Sequence, residues 1–226
     1  MMNNDLSTAF TELVTRRRSV RGFLPTAVEQ PLLERVFELA QRSPSNCNTQ
    51  PWQVYVASGE VVEALRRQLP EAMMSGHMEL DFPFDGVYQG EYKCRQHDAA
   101  AQLYQAMGIE RGDKAGRGEA FMRNFHFFGA PHVAFLFLHQ DFAMREAADL
   151  GMYAQNLMLS LSAHGLASCP MTALSFHSGI VRAALDVPDD YKLLFGIALG
   201  YEDEQCAANR CRVGRAPLSE AVHFRR

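Results

Sequence analysis

One domain of mixed helices and strands is the fold that the sequence predicts, on three observations. The runs His132 to His139 and Tyr191 to Tyr201 are largely apolar, the pattern of strands buried on both faces. Between them, about Arg145 to His164, Leu150, Met152, Tyr153, Leu157, Met158, Leu159 and Leu161 spread around most of a helical circumference, which marks a buried central helix. The chain of 226 residues is 47% hydrophobic and 21% charged, long enough and apolar enough for a single substantial core.

From the start of the chain, Leu6, Phe10, Leu13 and Val14 share one side of a helical wheel, so a helix is expected over about Asp5 to Arg17. Pro25 and Thr26 break the chain. Pro31 then suits the first turn of a second helix, with Leu32, Leu33, Val36, Phe37 and Ala40 inward, ending before Pro44. The segment Ser43 to Trp52, with its prolines, asparagines and glutamine, predicts a polar loop rather than a regular element. Alternation of Val54 and Val56 with Gln53 and Tyr55 predicts a strand over Gln53 to Ala57.

A helix is expected over Glu60 to Gln68. From Pro70 to Gly118 the pattern loosens into what reads as an insertion of irregular and short helical pieces, one of them Ala99 to Met107. Such a segment shapes a pocket, packs as filler or meets another subunit; periodicity does not choose. A helix is expected over Glu119 to Phe128, and Gly165 should end the central helix. Leu166 to Cys169 leads into Pro170 to Leu174, and a helix near Ser178 to Leu185 is closed by Pro188.

Charge is unevenly spread. The net charge is -4, which leaves no broad basic field for nucleic acid or an acidic membrane. Yet Leu13 to Ala27 holds Arg16, Arg17, Arg18 and Arg21 with no carboxylate, and Gln205 to Ser219 holds Arg210, Arg212 and Arg215, again without an acid. Helix-end arginines are favoured by the helix dipole, which accounts for one or two of the first group. The two segments either scatter over the surface or converge on one multiply charged anion such as phosphate, which arginine grips bidentately.

Other chemistries are poorly supported. There is no G-x-G-x-x-G after a strand and no G-x-x-x-x-G-K. The cysteines Cys47, Cys94, Cys169, Cys206 and Cys211 are odd in number and contain no C-x-x-C pair, arguing against disulfides or zinc and for reduced thiols in a cytoplasm. Cys47 as a nucleophile lacks any spacing signal. No apolar run is long enough to span a bilayer, and the polar start is unlike a signal peptide.

Five segments in order carry a resemblance: Arg17-Arg18-Ser19-Val20-Arg21, Pro44 to Trp52, Gly165-Leu166-Ala167-Ser168-Cys169-Pro170, Gly196-Ile197-Ala198-Leu199-Gly200-Tyr201, and Arg215-Ala216-Pro217-Leu218-Ser219-Glu220. Together they resemble the FMN-dependent nitroreductase family, with a tail similar to its nitrobenzoate-reductase-like branch. The resemblance implies an α+β fold with a mostly antiparallel sheet flanked by helices, in an intertwined homodimer with FMN at the subunit interface.

It further implies that Arg17, Ser19 and Arg215 hold the FMN phosphate, with Arg18 beside them and Arg21 near the pyrimidine edge. Pro44, Ser45, Asn46, Asn48 and Gln50 would reach the flavin of the other subunit. Pro170, Thr172 and Ala173 match the segment facing the ring near N5, and Arg123, Asn124 and His126 are candidates for a further approach to the flavin. The implied activity is hydride transfer from NADH or NADPH through the flavin to a nitroaromatic, quinone or similar acceptor in a ping-pong cycle, with no obligatory protein nucleophile. A flavin carrier or sensor, a dehalogenase and a flavin-fragmenting enzyme would use the same binding residues.

Overall fold

The computed structural model describes residues 2–225. Its centre is a four-stranded, wholly antiparallel sheet in the order β1-β2-β4-β3, with β1 at Trp52–Ser58, β2 at His132–His139, β3 at Ala167–Met171 and β4 at Tyr191–Gly200. Among the described residues the α-helices are α1 (Met2–Arg16), α2 (Gln30–Ala40), α3 (Glu60–Met74), α4 (Gly90–Ala106), α5 (Lys114–Met122), α6 (Met144–Ala163) and α7 (Ser178–Leu185). This is the α+β architecture expected.

Strand β2 shows why its sequence is apolar without alternation. Val133, Phe135 and Phe137 belong to a core shared with Leu65 and Leu69 of α3, Val181 of α7 and Phe125. Ala134, Leu136 and Leu138 belong to a second core with Val36 of α2 and Leu150, Tyr153 and Leu157 of α6. Successive side chains alternate sides, so helices on both faces demand apolar residues at every position. Each fully buried leucine or phenylalanine contributes about 1.5–3 kcal/mol, which makes the sheet interior a rigid base for the loops at its ends.

Helix α6 stops as its sequence requires. Gly165 takes φ +75°, and the Leu166 N–H donates to Leu161 O at 2.9 Å, closing the left-handed turn that ends many helices.

Three boundaries depart from the sequence reading. Helix α3 runs through Pro70 to Met74 rather than ending at Gln68, because Leu65, Leu69 and Pro70 are all buried and packing outweighs the proline's missing N–H and its crowding. Residues 70–118 are more helical than expected: α4 is a full helix with no fully buried residue, and its first half, exposed throughout, leaves no apolar period to read. The helix expected over Glu119 to Phe128 begins earlier, at Lys114, where Asp113 accepts the Gly116 N–H at 2.8 Å, and ends at Met122. Beyond it Phe127 and Phe128 take φ +55° and +53°, so their apolarity reflects a turn pressed into the core rather than a helix face.

Among the described residues no helix is long and apolar enough to cross a membrane. All five cysteines are free thiols.

Candidate functional site

Helix α1 delivers Arg16 at its last position, and the chain then straightens alongside β3. Ser19 bridges Ser168 in parallel, and the Val20 N–H donates to Ser168 O at 3.0 Å. Extended backbone sends successive side chains to opposite sides, so buried Val20 faces the core while its neighbours Ser19 and Arg21 remain partly exposed. The basic stretch is thereby fixed against the sheet two residues before Pro170.

The two acid-free segments meet. A pocket of about 850 Å³ is lined by Arg16, Arg17, Arg18, Ser19 and Arg21 from one end of the chain and Arg212 and Arg215 from the other, with Gln155 of α6 and Ala99 of α4 completing it. That volume falls within the roughly 300–1,000 Å³ of small-molecule sites. Burial, and then the nearby charge of Arg215, hold the Arg17 guanidinium below its ordinary proton affinity. Among the described residues neither Arg17 nor Arg215 has an acidic partner; Arg215 donates only to the carbonyls of Val213 and Gly214, at 3.1 and 2.9 Å.

Arg18 differs from its neighbours. Its guanidinium pairs with Glu202, so its charge is largely spent within the protein. A smaller cavity of about 260 Å³ shares Arg16, Arg17 and Arg18 but includes both Glu202 and Glu204, whose carboxylates oppose a second anion there.

Arg21 is held by its backbone. Its N–H donates to Asn209 Oδ1 at 2.6 Å and its carbonyl accepts from Arg123 Nη2 at 2.7 Å, while its own Nη1 reaches Ser19 O at 3.3 Å. Of the three residues considered after α5, Arg123 alone is joined to this stretch; it also lies over the Phe128 ring and reaches Cys206 Sγ at 3.5 Å. Asn124 caps Phe121 O locally at 2.7 Å, and His126 is exposed. Cys169 is buried behind this strip, its thiol pushed up to about 11 by burial, a shift that Arg21 partly opposes.

Pro44, Ser45, Asn46, Asn48 and Gln50 do not line this pocket. They form a separate loop, most of it exposed, with a short helical turn at Asn46–Asn48 where no regular element was expected. Helix α6 grips the loop twice: Asn156 Nδ2 donates to Ser43 Oγ at 2.8 Å, and buried Asp149 accepts the Asn46 N–H at 3.0 Å. Ser45 Oγ then accepts the Gln50 N–H at 2.9 Å. Cys47, Asn48 and Gln50 all take positive φ, of 50°, 55° and 48°. Left-handed backbone at non-glycine residues costs free energy and marks a shape maintained by its surroundings.

The third group lies at the end of β3. Pro170 is within the strand, opposite Ile197, and Thr172 and Ala173 begin the following turn, where Ser175 Oγ donates to Thr172 O at 2.8 Å. These residues are also outside the pocket lining.

Several participants carried little signal. Arg212 belonged to the acid-free tail, whereas Gln155 was visible only as a polar position in the most apolar helix, and Ala99 not at all. Asn209 is a buried amide whose neighbours in sequence give no reason to single it out.

A family model described as "Nitroreductase family" matches residues 14–201. The nitroreductase NfnB of Mycolicibacterium smegmatis is 45% identical over 98% of this chain and 95% of its own length. The 4-nitrobenzoate reductase of Pseudomonas putida is 31% identical, covering 97% of this chain and 96% of its own. A crystal structure of the FMN-dependent nitroreductase NfnB from Mycobacterium smegmatis in complex with NADPH superposes with a TM-score of 0.94 at 43% identity, over 98% of this chain and 100% of that one.

Proposed function

This chain belongs to the nitroreductase family, and from that premise we propose that it is an FMN-dependent oxidoreductase passing hydride from NAD(P)H to a nitroaromatic or similar acceptor. The observation that carries the reading is the convergence of Arg17, Arg212 and Arg215 on one pocket without an acidic partner among the described residues. Like charges are stable together when a dianion completes them, and a phosphate with a nearby hydroxyl donor from Ser19 fits that donor set.

In this reading Arg17, Ser19, Arg212 and Arg215 bind the phosphate, and Arg21 lies toward the pyrimidine edge, where a cation favours negative charge on the ring. Arg18, neutralised by Glu202, is secondary. Pro170, Thr172 and Ala173 face the ring near N5. Bound FMN supplies two-electron transfer between nicotinamide and acceptor, so the protein needs no nucleophile of its own. NADPH is the donor favoured by the complex described for the relative at 43% identity.

The reading includes a homodimer with FMN at the interface. Along α1, Leu6 and Phe10 are 72% and 60% exposed, and the tail leaves Leu218 and Phe224 at 65% and 76%. A second copy would cover these side chains and bring Pro44, Ser45, Asn46, Asn48 and Gln50 to its partner's flavin. Residues 70–118 then act as a lid within a single domain; Ala99 lines the pocket, and Arg95 of α4 pairs with Glu220 of the tail. Free thiols suit a cytoplasmic location.

The test is NADPH oxidation by FMN-loaded protein with 4-nitrobenzoate as acceptor. Turnover with a ping-pong pattern is expected. FMN-loaded protein that oxidises neither NADPH nor NADH, with nitroaromatics or quinones, would instead be a flavin carrier.

A further inference from the structure

We propose that Asn209 is the positioning residue that sets the two basic segments in register to form one phosphate site, an inference that rests on the FMN reading above. Asn209 is only 4% exposed, and both ends of its side-chain amide are engaged. Oδ1 accepts the Arg21 N–H at 2.6 Å; Nδ2 donates to Gly22 O at 2.9 Å and to Asp203 O at 2.9 Å. Its own carbonyl accepts from Arg212 Nη1 at 2.6 Å. One residue thus joins the backbone of the arginine stretch to the turn after β4 and to a guanidinium of the tail.

The amide orientation follows from its partners, since a backbone N–H must meet the oxygen and two carbonyls must meet the nitrogen. Few side chains can replace it. Aspartate keeps the shape and the acceptor for Arg21 but sets a carboxylate oxygen against two carbonyl oxygens. Alanine leaves the part-buried Arg21 N–H without its acceptor, while Gly22 O and Asp203 O keep only the N–H groups of Asp203 and Cys206.

A neutral clamp also suits the electrostatics. The charge of Arg215 already opposes that of Arg17, and Arg212 lines the same pocket, so something must hold their segments together before an anion arrives. An acidic clamp would do so by consuming the charge, as Glu202 does for Arg18. An amide registers the backbone and leaves the cations available to the ligand. Close packing supports the register: a Cβ at Gly22 would lie 2.4 Å from Cys206 Sγ and 3.3 Å from Asn209 Nδ2, so the segments meet at van der Waals distance only because Gly22 has no side chain.

The experiment compares FMN with riboflavin, which has the same ring and no phosphate, by fluorescence titration of apoprotein. Wild type should prefer FMN. Asn209→Ala should weaken FMN at least about tenfold and riboflavin, whose ring Arg21 also faces, distinctly less, so that the preference for FMN narrows. If the alanine variant does not fold, Asn209→Asp serves with the same expected loss. Unchanged FMN affinity, or equal weakening of both flavins, would overturn the assignment. Wild-type protein that binds neither flavin would instead defeat the FMN reading, and one that binds both equally would defeat the phosphate site.

Discussion

Arg17 and Arg215 come from opposite ends of the chain, face one pocket, and are close enough that the charge of Arg215 adds to burial in lowering the proton affinity of Arg17. Such a pair is a repulsive feature of the empty protein and an attractive one for a dianion. Replacing either by alanine should weaken FMN binding by about 1.5–3 kcal/mol, the contribution of a charge-assisted hydrogen bond, while raising apoprotein stability slightly or leaving it unchanged. Titration and thermal melts of the apoprotein together check both parts.

Arg18 should behave in the opposite way. Its ion pair with Glu202 is partly buried, so Arg18→Ala leaves a carboxylate behind and should lower the melting temperature while changing FMN affinity much less than Arg17→Ala does. Equal losses of FMN affinity in the two variants would show that the pair opens for the ligand.

The buried His132 gives a pH dependence. Its Nε2 accepts the Val28 N–H at 2.9 Å, which places the ring proton on Nδ1, 2.6 Å from Ser58 Oγ. Burial lowers its proton affinity, and His177 is lowered too, by burial and by His77 against the opposing effect of Glu79. A histidine with a depressed folded pKa costs the native state nothing above the unfolded value near 6.5, and the penalty grows as pH falls from there toward the folded pKa. Apoprotein stability should therefore decline as pH drops below about 6.5, with a shallower decline in His132→Asn. Identical slopes in the two proteins would remove His132 from the account.

Asp149 holds the loop of Pro44 to Gln50 from beneath. Asp149→Ala removes the acceptor for the Asn46 N–H and should release the left-handed residues Cys47 and Asn48 from their shape. The expected cost is about 1–3 kcal/mol of stability, with weaker FMN binding in the dimer. Normal FMN affinity in this variant would place the loop away from the flavin.

The exposed apolar side of α1 predicts assembly. Phe10→Asp, at a position 60% exposed in the single chain, should yield monomers on size exclusion if that face is covered by a second copy. A wild-type monomer, or a variant that elutes unchanged, would contradict the interface.

What could be read from sequence depended on burial. Strand β2 is enclosed and helix α6 buries one long face, with Met152 and Gln155 left exposed on the other, and both patterns gave bounds within a residue of those observed. Helix α4 has no fully buried residue and was seen only in its half-buried second half, and Phe125 to Phe128 mimicked a helix because a core-packed turn also needs apolar residues. The basic segments were legible as charge anomalies, but their meeting in space depends on contacts such as Asn209 with Gly22 that no local pattern encodes. The strained backbone at Cys47, Asn48 and Gln50 was likewise invisible, since none of them is a glycine.

The most direct test of the central claim is the visible absorption spectrum of the purified protein, followed by FMN titration of the apoprotein and of Arg17→Ala/Arg215→Ala. A flavin spectrum, tight FMN binding by wild type and a large loss in the double variant are predicted. A colourless protein that fails to bind added FMN, or a double variant that binds it as wild type does, would contradict the account.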